Sequence, residues 1–293
     1  MAISLSDPTI WSARVLGYLD KTLIYKAAFT NNDYEGEAKS GGTVKSFYLS
    51  DVSVTDYTGT WDDTDWTELT DNEKSFTIDQ LKKVLAKIPD VSQQFSVLNL
   101  IDQGSKRIAY AIGDIIDQFV ASKYSQIASA NTYGNDTTPI VVGLGSGEIK
   151  PTIFLNILME RLIDAKAPRT NANVVIPSWM GTMLDIELGN RQTALGDAAV
   201  QGQLDMPDGM VMQNVAGFKT VYVSSNIPNT SGAKFKVMAG EKMITYASAI
   251  EKFQIVPLQN DFAQGMKGLY VYGGKLLRGE FMSLGTVNKG SYE

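Results

Sequence analysis

The chain contains no histidine and no cysteine. Without histidine it lacks the side chain whose ordinary proton affinity lies nearest neutral pH. Without cysteine it has no thiol nucleophile, no disulfide and no Cys/His zinc site. Ser-His-Asp and Cys-His catalysis are therefore excluded. The chemistry that survives uses carboxylates, lysine or tyrosine, or carboxylate-bound magnesium or calcium. No stretch approaches the ~20 apolar residues of a membrane helix. The opening residues, Met1 to Pro8, lack both a basic region and a long apolar run. No secretory signal is read there, and synthesis and folding in a cytosol are expected. An excess of positive charge is also missing. With 26 Lys and Arg against 32 Asp and Glu, the net charge is −6. Tight general binding to nucleic acid, which needs Lys and Arg on phosphates, is not expected. If such a protein surrounds DNA, it does so as a container rather than a clamp.

What is present describes a globular protein. The chain has 293 residues, of which 44% are hydrophobic and 20% charged, with both signs interspersed. A chain of this length buries roughly 75% of the surface its unfolded form exposes.

The segment Pro8 to Tyr25 has helical spacing, with Trp11, Val15, Tyr18 and Leu19 on one face. It reads either as a packed N-terminal helix or as an arm lying on a neighbouring subunit. Thr43 to Leu49 and Lys74 to Ile78 are rich in β-branched and aromatic residues and read as strands. Between them lies a long polar stretch with Gly59, Trp61, Asp62, Asp63, Asp65 and Trp66. A connection of that length usually has a function, and large exposed aromatics usually have a partner. The hairpin either contacts another subunit or folds back on its own domain. From about Val97 to Ala130, apolar residues at Val97, Ile101, Ile108, Ile112, Ile115, Phe119 and Ile127 predict a long spine helix. A mixed α/β region follows. It comprises a strand at Ile140–Val142, a helix from Pro151 to about Lys166, a strand at Asn173–Ile176, a helix toward Leu188 and a strand at Phe218–Ser224. The remainder is mainly β, at Lys236–Met238, Met243–Tyr246, Phe253–Val256 and Gly268–Tyr272.

Four features of the sequence bear on chemistry. Gly143, Gly145 and Gly147 follow a strand and precede a helix. However, the third glycine comes one place early for a dinucleotide fingerprint, and Lys150-Pro151 separate it from the helix. It reads as a flexible turn. Asp62, Asp63 and Asp65 lack the glycine that a calcium loop needs at its sixth position, where Thr67 stands. They read as a solvated or interface-facing cluster. Paired carboxylates for glycoside chemistry have no local signature here. Tyr270 and Tyr272 lack a basic groove beside them and read as core rather than a base-stacking platform. No catalytic, cofactor-binding or metal-binding residue is expected.

Several stretches resemble the major capsid proteins of tailed double-stranded-DNA bacteriophages, whose fold is shared with herpesvirus shells. They are Trp11-Ser-Ala-Arg14, Tyr18 to Tyr25, Asn32 to Gly36, Asn173 to Trp179, Ala216 to Phe218, Val221 to Pro228 and Phe262 to Gly273. The order of parts is similar too. The resemblance implies an α+β fold divided into an N-terminal arm (1–32), an extended hairpin loop (33–80), a peripheral domain with the spine helix (81–148), an axial α/β domain (149–250) and strands returning to the peripheral domain (251–293). It implies self-assembly into pentamers and hexamers of an icosahedral head, in a virion assembled in a bacterial cytoplasm. Double-stranded DNA would be enclosed without sequence-specific binding, and no membrane would be involved. A portal and a separate scaffolding protein are expected partners, because the chain has no long charged helical N-terminal segment to serve as a built-in scaffold. Some relatives cross-link a hairpin lysine to an asparagine. Lys39, Lys45 and Lys74 lie in or near the hairpin, but no cross-link is expected. Trp11, Arg14, Tyr34, Trp61, Asp62, Asp63, Asp65 and Trp66 are the expected intersubunit contacts. Two other readings are carried: an encapsulin-like compartment shell, and a carboxylate-dependent α/β enzyme.

Overall fold

The computed structural model describes residues 24–31, 42–49, 56, 71–89, 100–195, 210–259 and 262–292. Two β-sheets, each with its own helices, carry most of these residues.

The first sheet is long and narrow. Its strands are β1 (Thr30–Asn31), β4 (Gln80–Pro89), β12 (Ile244–Pro257) and β13 (Ala263–Leu276), ordered β1-β12-β13-β4. Strands β12 and β13 are 14 residues each, or ~48 Å at ~3.4 Å per residue. The period-two rule explains which side is wet. On β13, Met266, Tyr270 and Tyr272 turn inward, while Lys267 and Leu269 lie on the other face. The inward face packs against helix α2 (Leu100–Ser122) through Ile108, Ile112, Ile116 and Val120, which repeat every four residues.

Helix α2 is shorter than its sequence pattern, which extends to Ala130. After Ser122 the chain tightens into 3₁₀ turns at Lys123–Gln126 and Ser129–Asn131. Tertiary bonds explain the break. The Gln126 side-chain carbonyl accepts from the Leu276 N–H at 2.8 Å, and the Ala128 N–H donates to Gly279 at 3.1 Å. Ile127 stays buried in the same core, so the apolar spacing continues although the helix does not.

The second sheet is mixed. It contains β5 (Thr132–Tyr133), β6 (Ile140–Val142), β7 (Asn173–Ile176), β8 (Met210–Val215), β9 (Phe218–Val223), β10 (Asn229–Thr230), β11 (Lys234–Gly240) and β14 (Met282–Lys289). The main order is β5-β14-β11-β7-β9-β8. Strand β7 runs parallel to β9, joined through helix α4 (Ser178–Leu195). All four β7 residues are buried: Val174, Val175 and Ile176 form an apolar run, and the Asn173 amide is hydrogen-bonded to the Ala28 carbonyl. Helix α3 (Pro151–Asp164) packs Phe154, Leu155, Leu158 and Leu162 onto this sheet. Its first turn starts at a proline and is capped from outside. The buried Glu187 of α4 accepts both the N–H and the hydroxyl of Thr152. Gly285 of β14 leaves the space that the Phe154 ring fills, since a Cβ there would lie 2.2 Å from the ring.

The stretch 251–293 divides between the sheets: β13 runs alongside β12 and β4, whereas β14 lies in the mixed sheet between β5 and β11. Strand β4 and strand β14 have no counterpart in the strand expectations above.

Candidate assembly surfaces

Strands β2 (Thr43–Leu49) and β3 (Asp71–Thr77) form an antiparallel ladder. It runs from the Thr43–Thr77 pair to the Leu49–Asp71 pair, beyond which the chain continues as residues 50–70. Its root sits on the outer face of the long sheet. Phe76 and Ile78 are buried against Ala247 and Val271. The Ile78 N–H donates to Gly42 at 3.0 Å, and Lys275 Nζ donates to the Ser75 carbonyl at 3.2 Å. Gly273 permits the approach, because a Cβ there would stand 2.6 Å from the Thr77 carbonyl oxygen. The hairpin therefore leaves the body from a fixed, apolar footing.

Beside this root lies an unusual surface. Strand β4 is the edge of the long sheet and turns Val84 and Ala86 inward. Alternation then places Leu81, Lys83, Leu85 and Lys87 on the outer face, next to Val271, Leu269, Lys267 and Gly265 of β13. Leu81 is 52% exposed and Leu85 69%. Phe262, at the β12–β13 turn, is 88% exposed. Lysines guard an edge against indiscriminate pairing, and here two exposed leucines alternate with them. The surface is apolar and basic at once.

A third feature ties the parts together. Helix α1 (Ile24–Phe29) and β1 form a strap held from three sides. The Tyr25 N–H donates to Asp117 Oδ1 on α2 at 2.7 Å, with the Ile24 N–H as a second donor to this carboxyl. Asn173, at the start of β7, donates to the Ala28 carbonyl at 2.9 Å. Thr30 and Asn31 pair with Ile244 and Thr245 of β12. Asp117 is only 3% exposed. Burial pushes its carboxyl up to about 6, while the Tyr25 N–H and the Asn226 amide pull it back and Asp114 adds to the rise. Asn226, on the loop after β9, donates to Asp114 at 2.6 Å and reaches Asp117 Oδ2 at 3.4 Å.

The expected contact residues Trp11, Arg14, Tyr34, Trp61, Asp62, Asp63, Asp65 and Trp66 all lie outside the described residues. The cross-link candidates Lys39 and Lys74 gain no account here either: Lys39 lies outside those residues, and the placement of the Lys74 side chain is not described. The glycine turn at 143–147 is closed on itself. Gly143 donates to Ile149, Leu144 to Ser291 and Gly145 to the Glu148 carboxylate, so these backbone donors are already engaged. Tyr270 and Tyr272 are buried, and the Tyr246 and Tyr270 hydroxyls share a 2.9 Å hydrogen bond. The Leu–Lys alternation on the outer face of β4 emerges only when the strand pairs with β13. Asp117 was visible only as an acid interrupting an apolar stripe.

No protein-family model matches the chain, and no curated protein sequence matches it. Solved structures do match over nearly its whole length. A structure from Mycobacterium phage Che8 is 20% identical, with a TM-score of 0.66 and 90% of each chain covered. The capsid structure of cyanophage P-SCSP1u is 15% identical, with a TM-score of 0.65, covering 92% of this chain and 89% of that one. The virus-like particle from Pyrococcus furiosus is 11% identical, with a TM-score of 0.56, covering 94% and 97%. The long sheet under its spine helix, the rooted hairpin and the mixed α/β layer are thus the parts of one known architecture, and the chain has the fold of the tailed-phage major capsid proteins.

Proposed function

We propose that this chain is a major capsid protein that closes into the icosahedral head of a tailed phage, as pentamers and hexamers around double-stranded DNA. Its role is structural rather than catalytic. In this reading the long sheet and α2 form the peripheral domain, and the mixed sheet with α3 and α4 forms the axial domain around fivefold and quasi-sixfold axes. Residues 1–32 are the arm and 33–80 the hairpin loop. Scaffolding and portal proteins guide assembly in the host cytoplasm.

The observation that carries the proposal is the pairing of a firmly rooted hairpin with a bare Leu–Lys surface on the same subunit. The sequence between the two hairpin strands supplies the complement. Residues 50–70 carry the acids Asp51, Asp56, Asp62, Asp63, Asp65 and Glu68, the aromatics Tyr57, Trp61 and Trp66, and no lysine or arginine. The face of β4 and β13 offers Lys83 and Lys267 among Leu81 and Leu85. An acidic, aromatic segment on one copy and a basic, apolar face on the next give a heterologous contact. Repeated around a ring, such contacts close, and their combined avidity exceeds any single one. Trp61 and Trp66 are then the apolar anchors, and Asp62, Asp63 and Asp65 the charged rim.

The encapsulin-like alternative shares the architecture. It is less favoured, because the structures that superpose at TM-scores of 0.65 and 0.66 come from phages. The test is to express the full chain with and without a scaffold protein and image it by electron microscopy. Closed shells, or rings of five and six subunits, are expected. A persistent monomer or dimer under both conditions overturns the proposal.

A further inference from the structure

We propose that Asp117 is a protonation-controlled latch on the strap of residues 24–31, holding the strap's leading end more firmly when its carboxyl is neutral. The strap is where the first 23 residues join the body and from which the chain proceeds toward the hairpin. Its trailing end is secured twice, by the Asn173–Ala28 bond and by the pairing of β1 with β12. Its leading end is secured by the Asp117 bond and by the buried Tyr25 side chain. Weakening the Asp117 bond makes this end easier to lift and leaves the trailing end in place.

The chemistry around Asp117 gives the latch its sign. The groups that meet its carboxyl are neutral donors: the Tyr25 and Ile24 N–H groups and the Asn226 amide. The titratable groups that face it are the Asp114 carboxylate, one turn away on α2, and the buried Tyr25 phenol of α1. Lys26, also on α1, is directed over the Tyr246 ring at 5.4 Å, and Tyr246 is the phenol that β12 brings to the strap. The loop after β9 offers the uncharged Asn226, and β7 the uncharged Asn173. Among the described residues no basic side chain pairs with Asp117. A buried carboxylate without a cation is costly, and its hydrogen bonds only partly offset that cost.

The two oxygens have different duties. Oδ1 holds the strap through the short Tyr25 bond, the Ile24 N–H adds a second donor to the carboxyl, and Oδ2 meets the Asn226 amide at a longer 3.4 Å. A proton taken from solvent onto Oδ2 removes the buried charge and leaves Oδ1 free to accept from Tyr25. When the strap lifts, water reaches the carboxyl and it behaves as an ordinary aspartate. The docked state therefore holds the proton more tightly than the lifted state, and acid favours docking. At neutral pH the charge returns and lifting becomes easier. The latch is a property of the single subunit, so it stands or falls independently of the shell reading.

Hydrogen exchange of the full-length protein, followed by mass spectrometry on the peptide spanning 24–31, tests this directly. After correction for intrinsic exchange rates, the opening constant of this peptide is expected to rise about tenfold between pH 5 and pH 7.5. The β7 peptide, 173–176, should not change. Asp117→Asn, which keeps the shape without the charge, should show the same strap protection at both pH values. A wild-type opening constant constant within twofold, a change shared equally by every peptide, or an Asp117→Asn variant as pH-sensitive as wild type would each overturn the latch. The wild-type profile alone decides the question if the variant does not fold.

Discussion

Replacing Leu81 and Leu85 together by serine should leave the subunit intact and cripple assembly. In the isolated subunit these side chains are 52% and 69% exposed. Fully burying a leucine contributes ~1.5–3 kcal/mol. Covering the fraction still in water therefore contributes about 1–2 kcal/mol for each leucine, or about 2–4 kcal/mol for the pair. Because ~1.4 kcal/mol is a factor of ten in an equilibrium constant, the lowest concentration that supports shells should rise by about 30- to 700-fold. The inward partners on the same strand, Val84 and Ala86, are untouched, so the stability of the dissociated subunit should shift by no more than ~0.5 kcal/mol. The assay is the concentration of soluble subunit left after shells are sedimented, paired with a melting curve of the dissociated protein. A critical concentration within threefold of wild type, with melting unchanged, would refute the assignment of this face as a contact.

Other consequences follow from the same geometry. Asp117 has a folded value of about 6, above the ~3.9 of an exposed aspartate. The native state thus binds the proton more tightly, so the stabilisation is complete below about pH 4 and lost as pH rises through about 6. Denaturant unfolding should show a fall of up to ~3 kcal/mol across that window, and Asp117→Asn should flatten it. Gly285→Ala places a Cβ 2.2 Å from the Phe154 ring and should cost ~1–3 kcal/mol by overpacking, read as a lower melting temperature. If acidic hairpin residues meet Lys83 and Lys267, raising ionic strength should slow shell formation measured by light scattering, and Lys83→Glu with Lys267→Glu should slow it further at low salt.

The legible parts of the fold were those with strong local periodicity. Strand β7 and the start of α3 were readable because a run of Asn-Val-Val-Ile and a proline at the first helical turn are local signals. The end of α2 was not. Its apolar spacing continues to Ile127, and only bonds from the Gly279 and Leu276 region stop the helix at Ser122. Strand β4 was hard to assign because Gln-Leu-Lys-Lys-Val-Leu-Ala-Lys contains good helix formers. Pairing with β13 along ten residues overrides that preference. Strand β14, with a glycine, an asparagine and a lysine among its eight residues, looks weak by propensity and is made a strand by its neighbours β11, β5 and β6. The strap contact was hidden for a related reason. Ala109, Gly113, Asp117 and Ala121 form a buried row at four-residue spacing on α2, and the glycine and the acid read as blemishes until α1 is packed beside them. The aromatic and acidic residues of the hairpin sequence were found by composition, whereas the Leu–Lys face that complements them needed the sheet to assemble it.

The absence of native cysteine makes the central claim directly testable by cross-linking. One population of subunits would carry Leu85→Cys and the other Trp61→Cys, and the two would be mixed before assembly and treated with a short bismaleimide. If the hairpin of one copy rests on the sheet face of the next, covalent dimers should form in mixed shells and disappear when the shells are dissociated before treatment. Intact mixed shells that yield no dimers beyond those of either population alone would contradict it.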